Sequence, residues 1–219
     1  MSSLLLIALL GGVLDDPAPR LLFNGRDLDG WTVFLRHADG SEPSADPKGV
    51  FRVEDGLLRV SGEEFGYLLT RDEFDDFHLL VEFRWGERRW PPRETAKRDS
   101  GICYHVVGPN KVWPRSVECQ IQEGDCGDFW MVDGARVTVR GVRNEPGGAV
   151  QAVKTTDAEK PRGDWNTIEV ISRDGRLTHK VNGVVVNEGV DPDPARGRIL
   201  LQSEGAEIVF RRVELTPLP

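Results

Sequence analysis

The chain is poor in the residues that usually announce a chemistry. Its 219 residues hold only three cysteines, four histidines, two methionines and two tyrosines. An odd cysteine count leaves at least one thiol free or paired between chains. No CxxC pair or zinc-type spacing occurs, so nothing marks a structural metal centre. HExxH, GxSxG, a phosphate-binding glycine loop and a Rossmann fingerprint are all missing, and no cofactor is expected. No apolar run reaches the roughly 18 residues of a membrane span. No long helical periodicity stands out, and there is no internal repeat. Cationic excess is missing too: 28 Lys and Arg stand against 36 Asp and Glu, a formal charge of −8. A chain of that sign repels phosphate backbones, which argues against nucleic acid as a partner.

What is present suits a folded β domain. Hydrophobic residues make up 39% of the chain, with six Trp and nine Phe. That is enough for a core without staples and argues against disorder. Residues Leu4 to Leu10 read LLLIALL. This length suits the apolar part of an export signal better than a membrane helix. A buried N-terminal segment is the competing reading. We expect a signal peptide over residues 1–14, a linker over 15–20 and one domain over 21–219, exported to the periplasm or beyond. Oligomeric state cannot be read from the sequence.

The dominant period is two. Val50 to Val53 and Leu57 to Val60 flank Asp55-Gly56, a hairpin signal, because that dipeptide supplies the positive φ of tight turns. Strands are expected at Phe77 to Trp85, Ser100 to Val107 and Ser116 to Gln122. Trp165 to Ser172, Leu177 to Val181 and Val184 to Asn187 read as a meander turning at Asp174-Gly175 and Asn182-Gly183. Arg198 to Gln202 and Glu207 to Leu215 close the chain. Many short strands with regular turns indicate a sandwich or jelly roll. The basic, proline-containing segment Arg84 to Arg98 reads as a long loop, and Gly141 to Gly163 as a second irregular stretch. Loops of this length often serve function, and both could rim a binding face.

The densest polar cluster is SVECQIQEGDCGDFW, Ser116 to Trp130. Val117, Cys119 and Ile121 alternate with Glu118, Gln120 and Gln122, giving one apolar and one polar face. A solvated strand face looks the same. Glu123, Asp125 and Asp128 follow in a glycine-rich turn, with Trp113 and Trp130 flanking. Carboxylates and amides that read hydroxyls, beside aromatic faces that stack on sugar rings, suit a saccharide site. Glu118, Gln120 and Glu123 also resemble the Glu-x-Asp-x-x-Glu strand of laminarinase-type β-glucanases. However, Gln replaces the central Asp, and an offset of five puts two residues of a regular strand on opposite faces. The Gly124-Asp125-x-Gly-Asp128 turn could hold a divalent cation, although such turns are common without one. His105 is the one histidine in a strand beside the cluster and is a candidate acid or base. Cys103 and Cys119 lie in successive strands and are expected as buried thiols. Cys126, in the turn, is expected to be exposed.

Motifs distributed along the chain carry a resemblance. Leu22-Phe23-Asn24-Gly25-x-x-Leu28-x-Gly30-Trp31 opens it. Gly49-Val50-Phe51-x-Val53, Asp55-Gly56-x-Leu58, Tyr67-Leu68 and Thr70 follow. Asp99-Ser100-Gly101-Ile102, Glu118-Cys119-Gln120-Ile121, Gly163-Asp164-Trp165-Asn166, Val181-Asn182-Gly183 and Leu201-Gln202-Ser203-Glu204-Gly205 complete it. Over residues 21–217 the chain resembles the 3-keto-disaccharide hydrolase domain family. The resemblance implies a concanavalin-like jelly-roll β-sandwich of two antiparallel sheets that acts on glycosides oxidised at carbon 3. A ketone there acidifies the hydrogen on carbon 2, so a base can start an elimination that expels the aglycone. The polar face suggests Glu118 as base and His105 as acid or second base. Gln120, Gln202, Arg98, Trp113, Trp130, Asp125 and Glu204 are the candidate substrate contacts, with Arg98 reaching the enolate. Two positions depart from the family: Glu204 stands where it has His, and Asp99 where Asn is common. A non-catalytic carbohydrate-binding module is the alternative, and a cell-surface interaction domain a third reading, because fold does not fix function.

Overall fold

The computed structural model describes residues 18–37, 40 and 42–219. The expected signal segment 1–14 and the first residues of the linker lie outside the described residues. In chain order the strands are β1 (Arg20–Leu21), β2 (Trp31–Leu35), β3 (Phe51–Glu54), β4 (Leu57–Val60), β5 (Gly66–Thr70) and β6 (Phe77–Arg89). Then come β7 (Asp99–Val107), β8 (Arg115–Gln122), β9 (Phe129–Val132), β10 (Arg136–Val139), β11 (Val142–Arg143) and β12 (Ala149–Ala152). The last are β13 (Asn166–Arg173), β14 (Arg176–Val181), β15 (Val184–Asp193), β16 (Arg198–Ser203) and β17 (Ala206–Pro217). One sheet has ten strands, in the order β11-β10-β15-β14-β13-β6-β17-β4-β3 with β1 beside β17. The other has seven, in the order β12-β9-β8-β7-β16-β5-β2. Neighbours are antiparallel, and many are distant in sequence, which is jelly-roll connectivity. Among the described residues no helix is long and apolar enough to cross a membrane.

Alternation builds the sandwich. In β6, Phe77, Leu79, Val81, Phe83 and Trp85 are buried while the residues between them are not. They meet Tyr104, Val117, Cys119, Ile121, Ile199 and Leu201 from the seven-stranded sheet in one apolar core. The expected turns form as read: Asp55-Gly56, Asp174-Gly175 and Asn182-Gly183 all have positive φ at both residues.

Two local expectations change and one holds. The Arg84 to Arg98 segment is half strand, since β6 continues to Arg89 opposite Ala206 of β17. Its polar residues fill the alternate positions of a sheet face, and only 90–98 form a loop. Cys126 is buried, because its turn folds against the core and its thiol donates to the Gln122 carbonyl. Cys103 and Cys119 are buried free thiols. Cys119 enters the main core, while Cys103 joins a small apolar cluster with Tyr67, Leu69, Val106 and Leu200 on the sheet's other face.

A buried polar pair ties the sheets together. Tyr104 on β7 hydrogen-bonds His179 on β14 at 2.9 Å, and the other ring nitrogen of His179 donates to the Gly127 carbonyl at 3.0 Å. Burial pushes the His179 imidazole down to about 3. The folded state therefore takes up this proton with difficulty, and the unfolded state takes it up below about 6.5. The stabilising contribution is complete above that pH and is lost as pH falls toward 3. His179→Phe should destabilise by about 2–4 kcal/mol, since a hydroxyl and a carbonyl lose their partner. It should also flatten the acid limb of stability between those pH values. Urea titrations at a series of pH values measure both, and an unchanged acid slope would contradict this account.

Candidate functional site

The outward face of the seven-stranded sheet holds a pocket of about 610 Å³, within the range of small-molecule sites. Its strand lining comes mainly from β7, β8 and β9, with β16 beside β7. On β7 the residues facing out are Asp99, Gly101 and Cys103. On β8, Gln122 lies opposite Asp99, Gln120 opposite Gly101 and Glu118 opposite Cys103. Trp130 of β9 lies opposite Glu118 on its other side. On β16, Leu201 pairs with Ile102, which places Gln202 beside Gly101. Glu204 follows just past the strand's end.

The centre of this face has no side chain of its own. A Cβ at Gly101 would sit 2.0 Å from Glu118 Oε1 and 2.4 Å from Gln202 Oε1. Both side chains therefore lean into the space above that glycine. Glu118 is only 5% exposed, and no ion pair or hydrogen bond holds its carboxyl among the described residues. Burial pushes it well above the usual carboxylate range; Glu204 and Asp99 add to this, and Arg93 opposes it.

Arg93 is the pocket's key cation and was not singled out from the sequence. The 90–98 loop supplies it, held by Trp90, whose amide donates to the Gly205 carbonyl and whose indole donates to the Ser61 carbonyl. Its guanidinium reaches Asp99 Oδ2 at 2.7 Å and Glu204 Oε1 at 2.6 Å. Gln122 also donates to Asp99 Oδ2, at 2.6 Å, while the buried Asp99 Oδ1 has no partner. Burial, then Glu204, pushes Asp99 up to about 7 against the pull of Arg93. Burial raises Glu204 as well, with Arg93 and a hydrogen bond from Trp113 pulling it back. The sequence signals were present, as an arginine in a basic loop and an aspartate at the strand's first position, but pairing across the fold cannot be read locally. Lys111, paired with Asp133 at 2.5 Å, closes the rim.

Of the expected site residues, the structure brings Glu118, Gln120, Trp113, Trp130 and Glu204 to the pocket lining. Trp113 is 43% exposed at its mouth. Gln202 lies beneath the lining, against Cys103 and Gly101. Three others lie elsewhere. The register of β7 slips between Tyr104 and Val107, and His105 has φ 52°, a bulge that re-aims its side chain. Its ring bonds the Pro194 carbonyl and Ser172 and packs edge-on against Phe77 and Tyr104. Arg98 is occupied by the Gly86 and Glu87 carbonyls and by Glu123 at 2.9 Å. Glu123 is thus paired with Arg98 and does not line the pocket that Glu118 lines. Asp125 pairs with Lys97 at 2.5 Å. In the same turn Asp128 binds the Gln151 amide and the Lys154 backbone, so neither aspartate is free for a cation. Among the described residues no cluster of three or more His, Cys, Asp or Glu could hold a metal ion.

The carboxyl cluster sets a pH dependence of stability. Asp99 binds its proton more tightly folded, at about 7, than its ordinary value of 3.8. Its contribution is complete below 3.8 and is lost as pH rises through about 7. Asp99→Asn removes the charge that is costly to bury and keeps the shape. Thermal melts should show this variant gaining on the parent from pH 4 to pH 8, and a gain that is flat across that range would count against the buried charge.

Comparison with known proteins bears on the fold and the family. Residues 18–216 match the model of the 3-keto-alpha-glucoside-1,2-lyase-like domain. No curated protein matches in sequence. Among solved structures, a candidate glycosyl hydrolase from Parabacteroides distasonis is similar, at 22% identity and TM-score 0.64 over 92% of this chain and 94% of that one. A carbohydrate-binding module from Bacillus subtilis shares 13% identity at TM-score 0.52, over 84% of this chain and 94% of the other. The β-glucanase of Bacillus licheniformis shares 12% at TM-score 0.54, over 94% and 100%. At such identities the likeness is one of fold, and it confirms the jelly roll. The family match spans nearly the whole described chain, and the protein belongs to the 3-keto-alpha-glucoside-1,2-lyase-like domain family.

Proposed function

We propose that this protein cleaves glycosides carrying a ketone at carbon 3, by elimination across carbons 1 and 2. The observation that carries the reading is the unequal treatment of two carboxyls in one pocket. Burial raises both, but Glu204 is ion-paired with Arg93, which pulls it back toward its charged form, while Glu118 has no partner and is pushed well above the usual range. Two titratable groups held apart in this way suit a base and an acid.

In this scheme Glu204 takes the proton from carbon 2, and the C–H electron pair passes into an enolate of the ketone. The enolate then forms the double bond between carbons 1 and 2, and the bond from carbon 1 to the aglycone oxygen breaks. Glu118 gives its proton to that oxygen. The products are the free alcohol and an unsaturated 3-keto sugar, to which water can add later. Charge on the enolate oxygen needs a donor, and the Arg93 guanidinium is the cation nearest the two carboxyls. Gln120 offers its amide N–H to hydroxyls, since its own Oε1 accepts from the Ile121 amide. Trp113 and Trp130 offer faces to the ring. This division reverses the role expected for Glu118 and leaves His105 out. The apolar Leu4 to Leu10 segment supports export, where saccharides are met.

A second reading, binding without turnover, draws on the exposed Trp113 at the pocket mouth and on the shared fold of the carbohydrate-binding module. Product analysis separates the two. The panel pairs 3-keto-glycosides with their unoxidised parents and compares sugar with nitrophenol leaving groups, with and without chelator. Only keto forms should react. Glu118→Gln should lose about 10²–10⁴-fold on sugar aglycones, which need a proton, and under about tenfold on nitrophenol, which does not. Glu204→Gln should lose activity on both. The pH profile of kcat/KM should be a bell that falls in acid as Glu204 gains a proton and in alkali as Glu118 loses one. Cleavage of the parents would exclude the elimination, and sugar binding with no release from any substrate would establish the module.

A further inference from the structure

Gln202 contributes a buried amide that the scheme above does not use. It is 3% exposed, lies below the pocket lining, and its Oε1 has no hydrogen-bond partner. An acceptor left unpaired in a dry site is costly. Its Nε2 points to Cys103 Sγ at 3.7 Å, which turns the amide so that Oε1 faces the gap above Gly101. The same gap holds Glu118 Oε1. Two acceptor oxygens facing one space repel unless one of them carries a hydrogen, and an amide oxygen cannot. A proton on Glu118 satisfies both.

We infer that Gln202 is a positioning residue: its amide oxygen accepts a hydrogen bond from the Glu118 carboxylic acid across the side-chain gap at Gly101. The groups facing Glu118 fit this assignment. Glu204 and Asp99 repel its charged form, Arg93 is engaged by those two carboxylates, and Cys103 on β7 is a buried neutral thiol. Trp130 on β9 lies opposite Glu118, and its buried indole N–H makes no hydrogen bond. Gly101 is what makes the contact reachable, since any side chain there would occupy it. The inference deepens the proposed elimination, because it explains how the acid keeps its proton until the leaving oxygen needs it. It does not require turnover to be tested.

Infrared difference spectroscopy of the whole protein reads the bond directly. The carbonyl stretch of protonated Glu118 is the acid band that disappears in Glu118→Gln. In Gln202→Leu that band should move to higher wavenumber, as a carboxylic acid does when its O–H loses an acceptor. Turnover of sugar aglycones by Gln202→Leu should fall about tenfold, one hydrogen bond's worth, with nitrophenol substrates little affected. Should Gln202→Leu fail to fold, Gln202→Met has similar reach and no amide. A band unmoved in the variant, or no Glu118 acid band at neutral pH in the parent, would overturn the inference. A shifted band in a protein that cleaves no keto-glycoside would keep the bond and remove the elimination scheme.

Discussion

Three carboxyl groups share one guanidinium on a nearly dry sheet face, and the pocket's chemistry follows from that shortage of cations. Asp99, Glu118 and Glu204 are all more than nine-tenths buried, and Arg93 reaches only two of them. Taking a carboxylate out of water is expensive, so burial without an ion pair favours the neutral form of Glu118. The cost is carried by the rest of the molecule. Two sheets of alternating strands bury a continuous apolar core on the other side of the same strands, and that core fixes the backbone under the cluster. A flexible loop could let the carboxyls swing out to solvent, whereas paired strands cannot. Rigid elements are what keep a functional cluster in a state its own electrostatics disfavours.

Sheet geometry then decides which groups meet. Side chains on one face of neighbouring strands stand close enough to touch, and an empty position lets the residues on both sides lean inward. Gly101 is that position. It brings a β8 side chain and a β16 side chain over a β7 residue, a meeting that three full side chains would prevent. Gly205 serves the approach from above. Its φ is +81°, and a Cβ there would already lie 3.0 Å from the Cβ of Arg93. The chain can therefore turn tightly after β16 and present Glu204 to the guanidinium. One glycine opens the floor of the site and the other admits its cation.

Much of this was legible in residue order, and the parts that were not share a cause. The jelly roll followed from period-two patterning and from Asp-Gly and Asn-Gly turns, which are local signals with local causes. Glu118 and Gln120 followed from alternation along β8, and alternation holds wherever a strand is regular. His105 was misplaced by the same rule. Regular pairing would put it on the face shared by Asp99, Gly101 and Cys103, but the bulge between Tyr104 and Val107 turns the ring into the core. Arg98 and Arg93 show the other limit. Both are arginines of one polar segment, five residues apart. Only the fold shows that the first is spent on carbonyls of its own segment and on Glu123, while the second spans to Glu204, 111 residues away.

The two departures from the family pattern are one structural change. Glu204, where the resemblance expects His, follows the end of β16, and Asp99, where it expects Asn, opens β7; far apart in sequence, both end on the same guanidinium. Each replaces a side chain that can be neutral with one that can carry negative charge. Either acid alone would have Arg93 to itself; together they bracket the guanidinium from two sides and leave Glu118 without a cation of its own. A histidine base works near neutral pH from its own ordinary pKa. Burial raises Glu204, and the Arg93 pair and a Trp113 hydrogen bond pull it back. The Asp99–Arg93–Glu204 triad thus sets two carboxyls against one cation in a pocket whose lining holds no histidine.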